Sequence, residues 1–222
     1  MSLVQSTVTE FPEYPKIVTL FERDAVTFVV DETKLKKTVL GTIRDWEVTE
    51  KINGTNIRVM LSETGEVTFG GRTDNAQLPA DLLMKLFQMF PSEKMRTALW
   101  LNGTPTQAVL FGEGYGAGIQ KGSTYRADKS FILYDVLAGG KWWLDKQAVD
   151  DVGAKLGIDL VPYLGRMTLD EIVTLVRKPF ASMIGTGMAE GIVARPIETL
   201  FDKHMERIII KLKTRDFTKG KR

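Results

Sequence analysis

The sequence predicts an α+β fold with antiparallel sheets flanked by helices. Apolar residues recur mostly at every second position, the period of a half-buried strand. The stretches with helical period are inserted between groups of strands and do not alternate with them one for one, as βαβ units would require. No repeat, low-complexity run or Pro/Ser/Gly-rich linker divides the 222 residues, and 43% hydrophobic content suffices for one large core. A single domain over 1–222 is therefore expected.

Taken in order, Tyr14-Pro-Lys-Ile17 and Ala25-Val-Thr-Phe-Val-Val30 read as short extended segments. Next, Trp46, Val48 and Glu50 share one face of a strand while Glu47, Thr49 and Lys51 share the other. Asn53-Gly54 reads as a hairpin turn, after which Asn56 to Leu61 resumes strand character and Gly65–Gly71 supplies its partner. Leu82, Leu83, Leu86, Phe87 and Phe90 recur at helical spacing behind Pro79, which predicts an amphipathic helix over 79–90. Strands are then expected at Gln107–Gly112 and Ser130–Val136, the first ending in glycine-rich Glu113-Gly-Tyr-Gly-Ala-Gly118 and the second in a Gly139-Gly140 turn. Helices follow near 146–156 and 168–178, the latter opened by Thr168-Leu-Asp-Glu171 at capping-box spacing. Gly191–Arg195 and Arg207–Lys213 close the series as strands.

Composition narrows the function classes. No run approaches the roughly 18 apolar residues of a membrane span, and the first residues lack the charged start and apolar core of a signal peptide. Zero cysteines exclude disulfides and thiolate metal sites and fit a reducing cytoplasm. A net charge of +2 does not announce a nucleic-acid binder, although the twelve residues from Lys211 to Arg222 hold six Lys/Arg against one Asp. That tail reads either as a solvated end or as a binding arm. The single His204 has no second His or Cys to make a metal site and is expected at the surface.

Polar residues at strand ends carry the chemistry. Lys51 at a strand–turn corner is either a surface charge or a nucleophile held in place. Lys211 and Lys213, two apart on a strand, project to one face with Leu212 behind them, and their mutual repulsion is relieved if an anion lies between. Three preceding isoleucines argue for an interior strand. Glu113 and Glu190 stand beside glycines at the ends of apolar strands, suited to a hydrated divalent cation or a ribose hydroxyl, or else simply turn residues. Arg72 offers a planar fork for phosphate or a surface salt bridge. Phe131 is either a core aromatic or a ring that stacks on a purine. Gly112–Gly118 lacks both the Gly-Lys-Ser/Thr ending of a P-loop and the spacing of a dinucleotide fingerprint.

Set together, these segments resemble the covalent nucleotidyltransferases, specifically the nick-joining RNA ligases of the RNA ligase 2 type. The likeness covers about 46–217. It runs through Glu50-Lys-Ile-Asn-Gly-Thr-Asn56, Gly71-Arg72-Thr73, Phe111-Gly-Glu-Gly-Tyr-Gly-Ala-Gly-Ile-Gln-Lys121, Phe131-Ile-Leu-Tyr-Asp135, Glu190-Gly-Ile-Val-Ala-Arg-Pro196 and Lys211-Leu-Lys213. The resemblance implies a nucleotidyltransferase (ATP-grasp-like) ligase catalytic domain that carries out RNA repair in the cytoplasm, of a host cell if viral. Lys51 would attack ATP to give lysyl-AMP, with Mg or Mn assisting. AMP would pass to an RNA 5′-phosphate, and a 3′-OH of a nicked duplex would then displace it. By the same resemblance Lys211, Lys213 and Glu190 join Lys51 as catalytic residues, with Lys211 and Lys213 on the α-phosphate. Glu50, Ile52, Asn56, Arg72, Glu113 and Phe131 would contact the nucleotide, Glu113 at the ribose and Phe131 over the adenine. Glu113 and Glu190 would hold the metal through water.

Two departures stand out. Many superfamily members carry aspartate two residues after the nucleophile, where this chain has Asn53. The sequence also stops soon after the last motif, so no separate C-terminal RNA-binding domain is expected, and the basic tail would have to supply affinity for RNA. The alternatives are a DNA ligase or capping-type guanylyltransferase with the same lysine chemistry, or a nucleotide-binding domain with weakened catalysis.

Overall fold

A computed structural model describes residues 11–120 and 122–217. The strands, in chain order, are β1 (Val18–Thr19), β2 (Phe21–Arg23), β3 (Val30–Leu35), β4 (Trp46–Glu50), β5 (Thr55–Leu61), β6 (Val67–Gly70), β7 (Ala108–Gly116), β8 (Lys129–Ala138), β9 (Trp142–Trp143), β10 (Asp159–Leu160), β11 (Tyr163–Met167), β12 (Gly191–Pro196) and β13 (Ile210–Lys213). The helices are α1 (Ala80–Met89), α2 (Ser92–Leu99), α3 (Lys146–Leu156) and α4 (Leu169–Val176). The expected α+β class with antiparallel sheets is what forms. No helix among the described residues is long and apolar enough to cross a membrane.

The chain divides into two compact units. Of the described residues, one gathers 15–55, 113–120, 122–132 and 159–217; the other gathers 11–14, 56–112 and 133–158. In the first, a five-stranded sheet runs in the order β1-β13-β12-β4-β11. Only the two-residue β1 is parallel to its neighbour; β13, β12, β4 and β11 pair antiparallel. One face buries Trp46, Val48, Ile192, Ala194, Ile210 and Leu212 against Ile172, Val173 and Val176 of α4. The alternation of apolar residues along β4, β12 and β13 produces this core, because every second side chain turns to the helix. Of the three isoleucines before Lys211 only Ile210 belongs to β13, which lies between β1 and β12, whereas Ile208 and Ile209 are buried ahead of the strand.

In the second unit the strands run β8-β7-β5-β6, with β9 on β8. Met60, Val109, Phe111 and Leu137 form a core beneath Phe11, Tyr14, Tyr134 and Trp143. Tyr14 donates its hydroxyl to Asp135 at 2.8 Å, and its ring meets Phe111, Tyr134 and Trp143 with centroids 5.0, 5.1 and 5.8 Å away. These tilted and edge-on packings are the favoured aromatic geometries.

Several local expectations are corrected. Asn53-Gly54 is no hairpin turn: β4 belongs to the five-stranded sheet, whereas β5 pairs with β6. The β-branched run at 25–29 is a turn, because the Asp24 carboxylate takes the backbone N–H groups of Val26 and Thr27 together with the Thr27 hydroxyl. Such an Asx turn outcompetes strand propensity locally. Tyr14-Pro-Lys-Ile17 stays outside any strand, the first beginning at Val18. Glycine-rich 113–116 continues β7, so Glu113 lies within that strand and not at its foot, and the last strand begins at Ile210, not Arg207. Helix α2 was not anticipated. His204 is exposed as expected, whereas the basic tail lies partly outside the described residues.

Helix α4 opens with the expected capping box. Thr168 accepts from the Glu171 N–H, and Glu171 accepts from the Thr168 N–H at 2.8 Å. Thr168→Ala should lower the unfolding free energy by about 1 kcal/mol in a denaturant titration.

Candidate active site

Three neighbouring strands bring the first charges together. Lys51 follows directly on β4, and its backbone N–H donates to the Gly191 carbonyl at 2.9 Å. Across the next pairing, Gly191 lies opposite Lys213. Glu190, one residue before Gly191, therefore comes between two lysines. Its Oε2 accepts from Lys51 Nζ at 2.6 Å and its Oε1 from Lys213 Nζ at 2.5 Å. Glu190 thus supplies an anion between Lys51 and Lys213, a different pair from the Lys211 and Lys213 between which the sequence suggested one.

Burial strengthens this bridge. The side chains of Lys51, Glu190 and Lys213 are only 22%, 15% and 16% exposed. Burial by itself pushes the Glu190 carboxyl up, but the charges and hydrogen bonds of Lys51 and Lys213 outweigh it and hold the group below its ordinary range. Lys213 Nζ is the second partner at the same carboxylate, so each ammonium faces an anion and not the other ammonium.

Gly191 makes the approach possible. A Cβ there would lie 2.1 Å from the Leu212 carbonyl oxygen and 2.6 Å from Lys213 Cα. Gly54 does the same for the loop after Lys51: its Cβ would fall 2.3 Å from the Gly114 oxygen and 2.7 Å from Glu113 Cγ. The Asn53-Gly54 pair, read from sequence as a turn, is required instead by close contact with β7. Glu113 is buried there, 8% exposed.

Further contacts fix this loop. The Asn53 N–H donates to the Tyr125 hydroxyl at 3.2 Å. Burial raises the Tyr125 phenol; the Asn53 N–H bond opposes this, and the negative charges of Glu50, Glu190 and Glu113 add to the rise. Ile52 is buried with Tyr115 and Ile132 under Tyr125, Val161 and Ile184. Glu50 accepts from Ser182 Oγ at 2.5 Å and from the Met183 N–H at 2.8 Å, which anchors the segment leading to Glu190. Thr124 accepts from the Thr186 N–H at 2.9 Å and ties that segment to the one bearing Tyr125.

The remaining expected residues are placed as follows. Lys211 is half-buried on β13, opposite Val193 on one side and Thr19 on the other. Phe131 is wholly buried on β8. Arg72 and Asn56 belong to the second unit, Arg72 exposed and Asn56 half-buried near the start of β5. Among the described residues no three His, Cys, Asp or Glu side chains are grouped to hold a metal directly.

Sequence reasoning missed four residues around these groups: Arg58, Tyr125, Ser182 and Asp216. Arg58 is 2% exposed and donates to the carbonyls of Gly71 and Phe11 at 2.9 and 3.2 Å and to Asp74 at 2.6 Å. It thereby fixes the loop that carries Arg72. A charged residue interrupting the apolar run Ile57–Leu61 was the available signal for Arg58. The other three lie outside periodic segments, where no pattern marks them.

Comparison with known proteins follows the same lines. A model of the RNA ligase family matches residues 44–213. Among solved structures, a lysine-to-methionine variant of Naegleria gruberi RNA ligase with AMP and Mn is 17% identical, with a TM-score of 0.63 over 90% of this chain and 61% of that one. An apo aspartate-to-alanine variant of the same ligase gives 18%, 0.63, 94% and 63%, and the ligase with PPi gives 17%, 0.62, 90% and 61%. The chain thus spans about three fifths of the length of these solved chains. At such identities the likeness is one of fold. Comparison with curated proteins finds no match.

Two outcomes follow from the geometry. Gly54→Ala should cost about 1–3 kcal/mol of stability in thermal or chemical unfolding, since a backbone carbonyl blocks the added carbon. The second concerns pH. With its folded-state value held below the ordinary 4.5, Glu190 contributes stability that is full above that value and is lost as pH falls through the lower folded-state one. The difference in unfolding free energy between the protein and Glu190→Gln should therefore stay constant at neutral pH and shrink only on strong acidification.

Proposed function

The chain belongs to the RNA ligase family, and from that premise we propose that it is the catalytic portion of an ATP-dependent RNA ligase. The observation that carries this reading is the Lys51–Glu190–Lys213 bridge across three neighbouring strands. In the proposed reaction the Lys51 amine attacks the α-phosphorus of ATP, the bond to the β-phosphate oxygen breaks and pyrophosphate leaves. A lysyl-AMP phosphoramidate remains. The 5′-phosphate of an RNA strand then displaces Lys51 to form an RNA-adenylate, and the 3′-OH of a neighbouring strand displaces AMP to close the phosphodiester.

An amine attacks only without its extra proton, whereas Lys51 is ion-paired with Glu190. The bridge must therefore open before attack. When the Lys51 proton departs, Glu190 keeps its second partner, so its carboxylate is not stranded without a cation. Lys213 and Lys211 lie on β13, separated from the Lys51 strand by β12, and they would bear on the α-phosphate as negative charge develops. Each step is transfer at phosphorus, so these residues act by positioning and charge.

A divalent ion suits the oxygen donors available. Mg or Mn commonly keeps most of its waters, so a site without three direct protein ligands is compatible with it. Glu190 and Glu113 would hold such an ion through water, and bound there it would offset phosphate charge. Glu50, Ile52, Asn56, Arg72 and Phe131 complete the proposed nucleotide contacts. The proposed substrate is RNA with 5′-phosphate and 3′-OH ends in a nicked duplex, met in the cytoplasm.

Incubation with ATP labelled at the α-phosphate should attach one AMP to the intact protein, located at Lys51 by peptide mass spectrometry, and Lys51→Ala should abolish it. A labelled Lys51→Ala protein would discard the nucleophile. Labelling from GTP instead of ATP would favour capping, and sealing of all-DNA but not RNA nicks would favour a DNA ligase. Binding to nicked RNA should weaken steeply between low and moderate salt in a filter or anisotropy titration, because phosphate contacts release counterions.

A further inference from the structure

Lys213 is held by two residues that lie outside the stretch matching the family model. The ladder on one side of β13 ends early, since the two-residue β1 reaches only as far as Lys211. The Lys213 backbone N–H is taken instead by Asp216 Oδ2 at 2.9 Å, in the 3-10 turn Thr214–Phe217. Asp216 is 2% exposed. Its other oxygen accepts from Arg23 Nη2 at 2.7 Å, and Arg23 Nη1 donates to the Phe28 carbonyl at 2.9 Å.

A buried carboxylate is tolerated only while its partners stay in place, and charge-assisted bonds of this kind fix geometry strongly. Both ends of the clamp are therefore specified. Arg23 is set by β2 and the turn that follows it, and Asp216 by the 3-10 turn. Lys213 lies where strand pairing runs out, so the ladder alone would leave its last residue to fray. On the other side Thr214 still donates to the Glu190 carbonyl at 3.2 Å. Lys213 is thus pinned between the Glu190 segment and Asp216, with its Nζ directed at the Glu190 carboxylate.

We propose that Arg23 and Asp216 are positioning residues for Lys213, keeping its ammonium against Glu190 and, in the proposed reaction, aimed at the α-phosphate. The chemical half of this inference rests on the ligase reading; the positional half does not. Two measurements on the full chain separate them. In rapid-quench assays at saturating ATP, Asp216→Asn should slow formation of the AMP adduct about ten- to a hundredfold, the scale of a small misplacement, with much less change in the ATP concentration giving half the maximal rate. A variant that merely lowered the amount of folded protein would scale the amplitude and leave the rate unchanged.

The second measurement is competitive acylation of amines by acetic anhydride, read by peptide mass spectrometry. Lys213 should react slowly compared with Lys34, whose side chain is 70% exposed, and should gain reactivity in Asp216→Asn. Should that variant fail to fold, Arg23→Gln carries both assays, because the Arg23 side chain is already 33% exposed. If the unaltered protein forms no AMP adduct, the ligase reading fails while acylation still decides the positional claim. Unchanged Lys213 acylation in a folded variant, or an unchanged adduct rate in an active one, overturns the proposal.

Discussion

The Glu190 carboxylate, gripped by Lys51 on one oxygen and Lys213 on the other, is the interaction around which the first unit is arranged. Three charges at this depth would be unfavourable singly, because burial penalises each charged form. Together they are tolerated, since the one anion is shared and its protonation is suppressed by both cations. Such a bridge adds little net stability compared with an apolar replacement. Its presence on three adjacent strands is therefore not explained by a gain in stability.

Backbone, more than side chain, sets the geometry. The Lys51 N–H meets the Gly191 carbonyl, Gly191 faces Lys213, and the Thr214 N–H meets the Glu190 carbonyl. Once these ladders form, the three charged side chains have little choice of neighbour. The glycines matter because they remove carbon where strands must nearly touch. Buried on the other face, Trp46, Val48, Ile192 and Leu212 fix the register that all of this assumes, for a slip of one residue would turn Lys213 into the core.

Much of this was legible in the chain. The patterns at 46–50, 191–195 and 207–213 located the strands, the last with its start three residues early, the capping box located α4, and the run of isoleucines predicted an interior strand for the paired lysines. Strand pairing was not legible at Asn53-Gly54, because hairpin chemistry and a glycine demanded by close contact write the same dipeptide. At 25–29 β-branched residues suggested a strand, but a single Asp24 carboxylate gathering three donors decided the conformation. Tyr125, Ser182 and Asp216 were invisible for a related reason. Each makes a hydrogen bond to a residue far along the chain, Tyr125 with Asn53, Ser182 with Glu50 and Asp216 with Arg23, and such bonds leave no periodicity.

That contrast separates two kinds of site residue. Lys51, Glu190 and Lys213 meet the bridge directly, and strand chemistry around them constrains their neighbours enough to make a readable pattern. Glu50 shows how a residue can sit beside Lys51 and be occupied elsewhere, since Ser182 and Met183 take both of its oxygens. Its carboxylate anchors the segment that delivers Glu190, so any role toward a nucleotide base requires that anchor to be shared or released. Neutralising Glu50 would then disturb Glu190 as well as the base, and the loss of one carboxylate would act on the position of another.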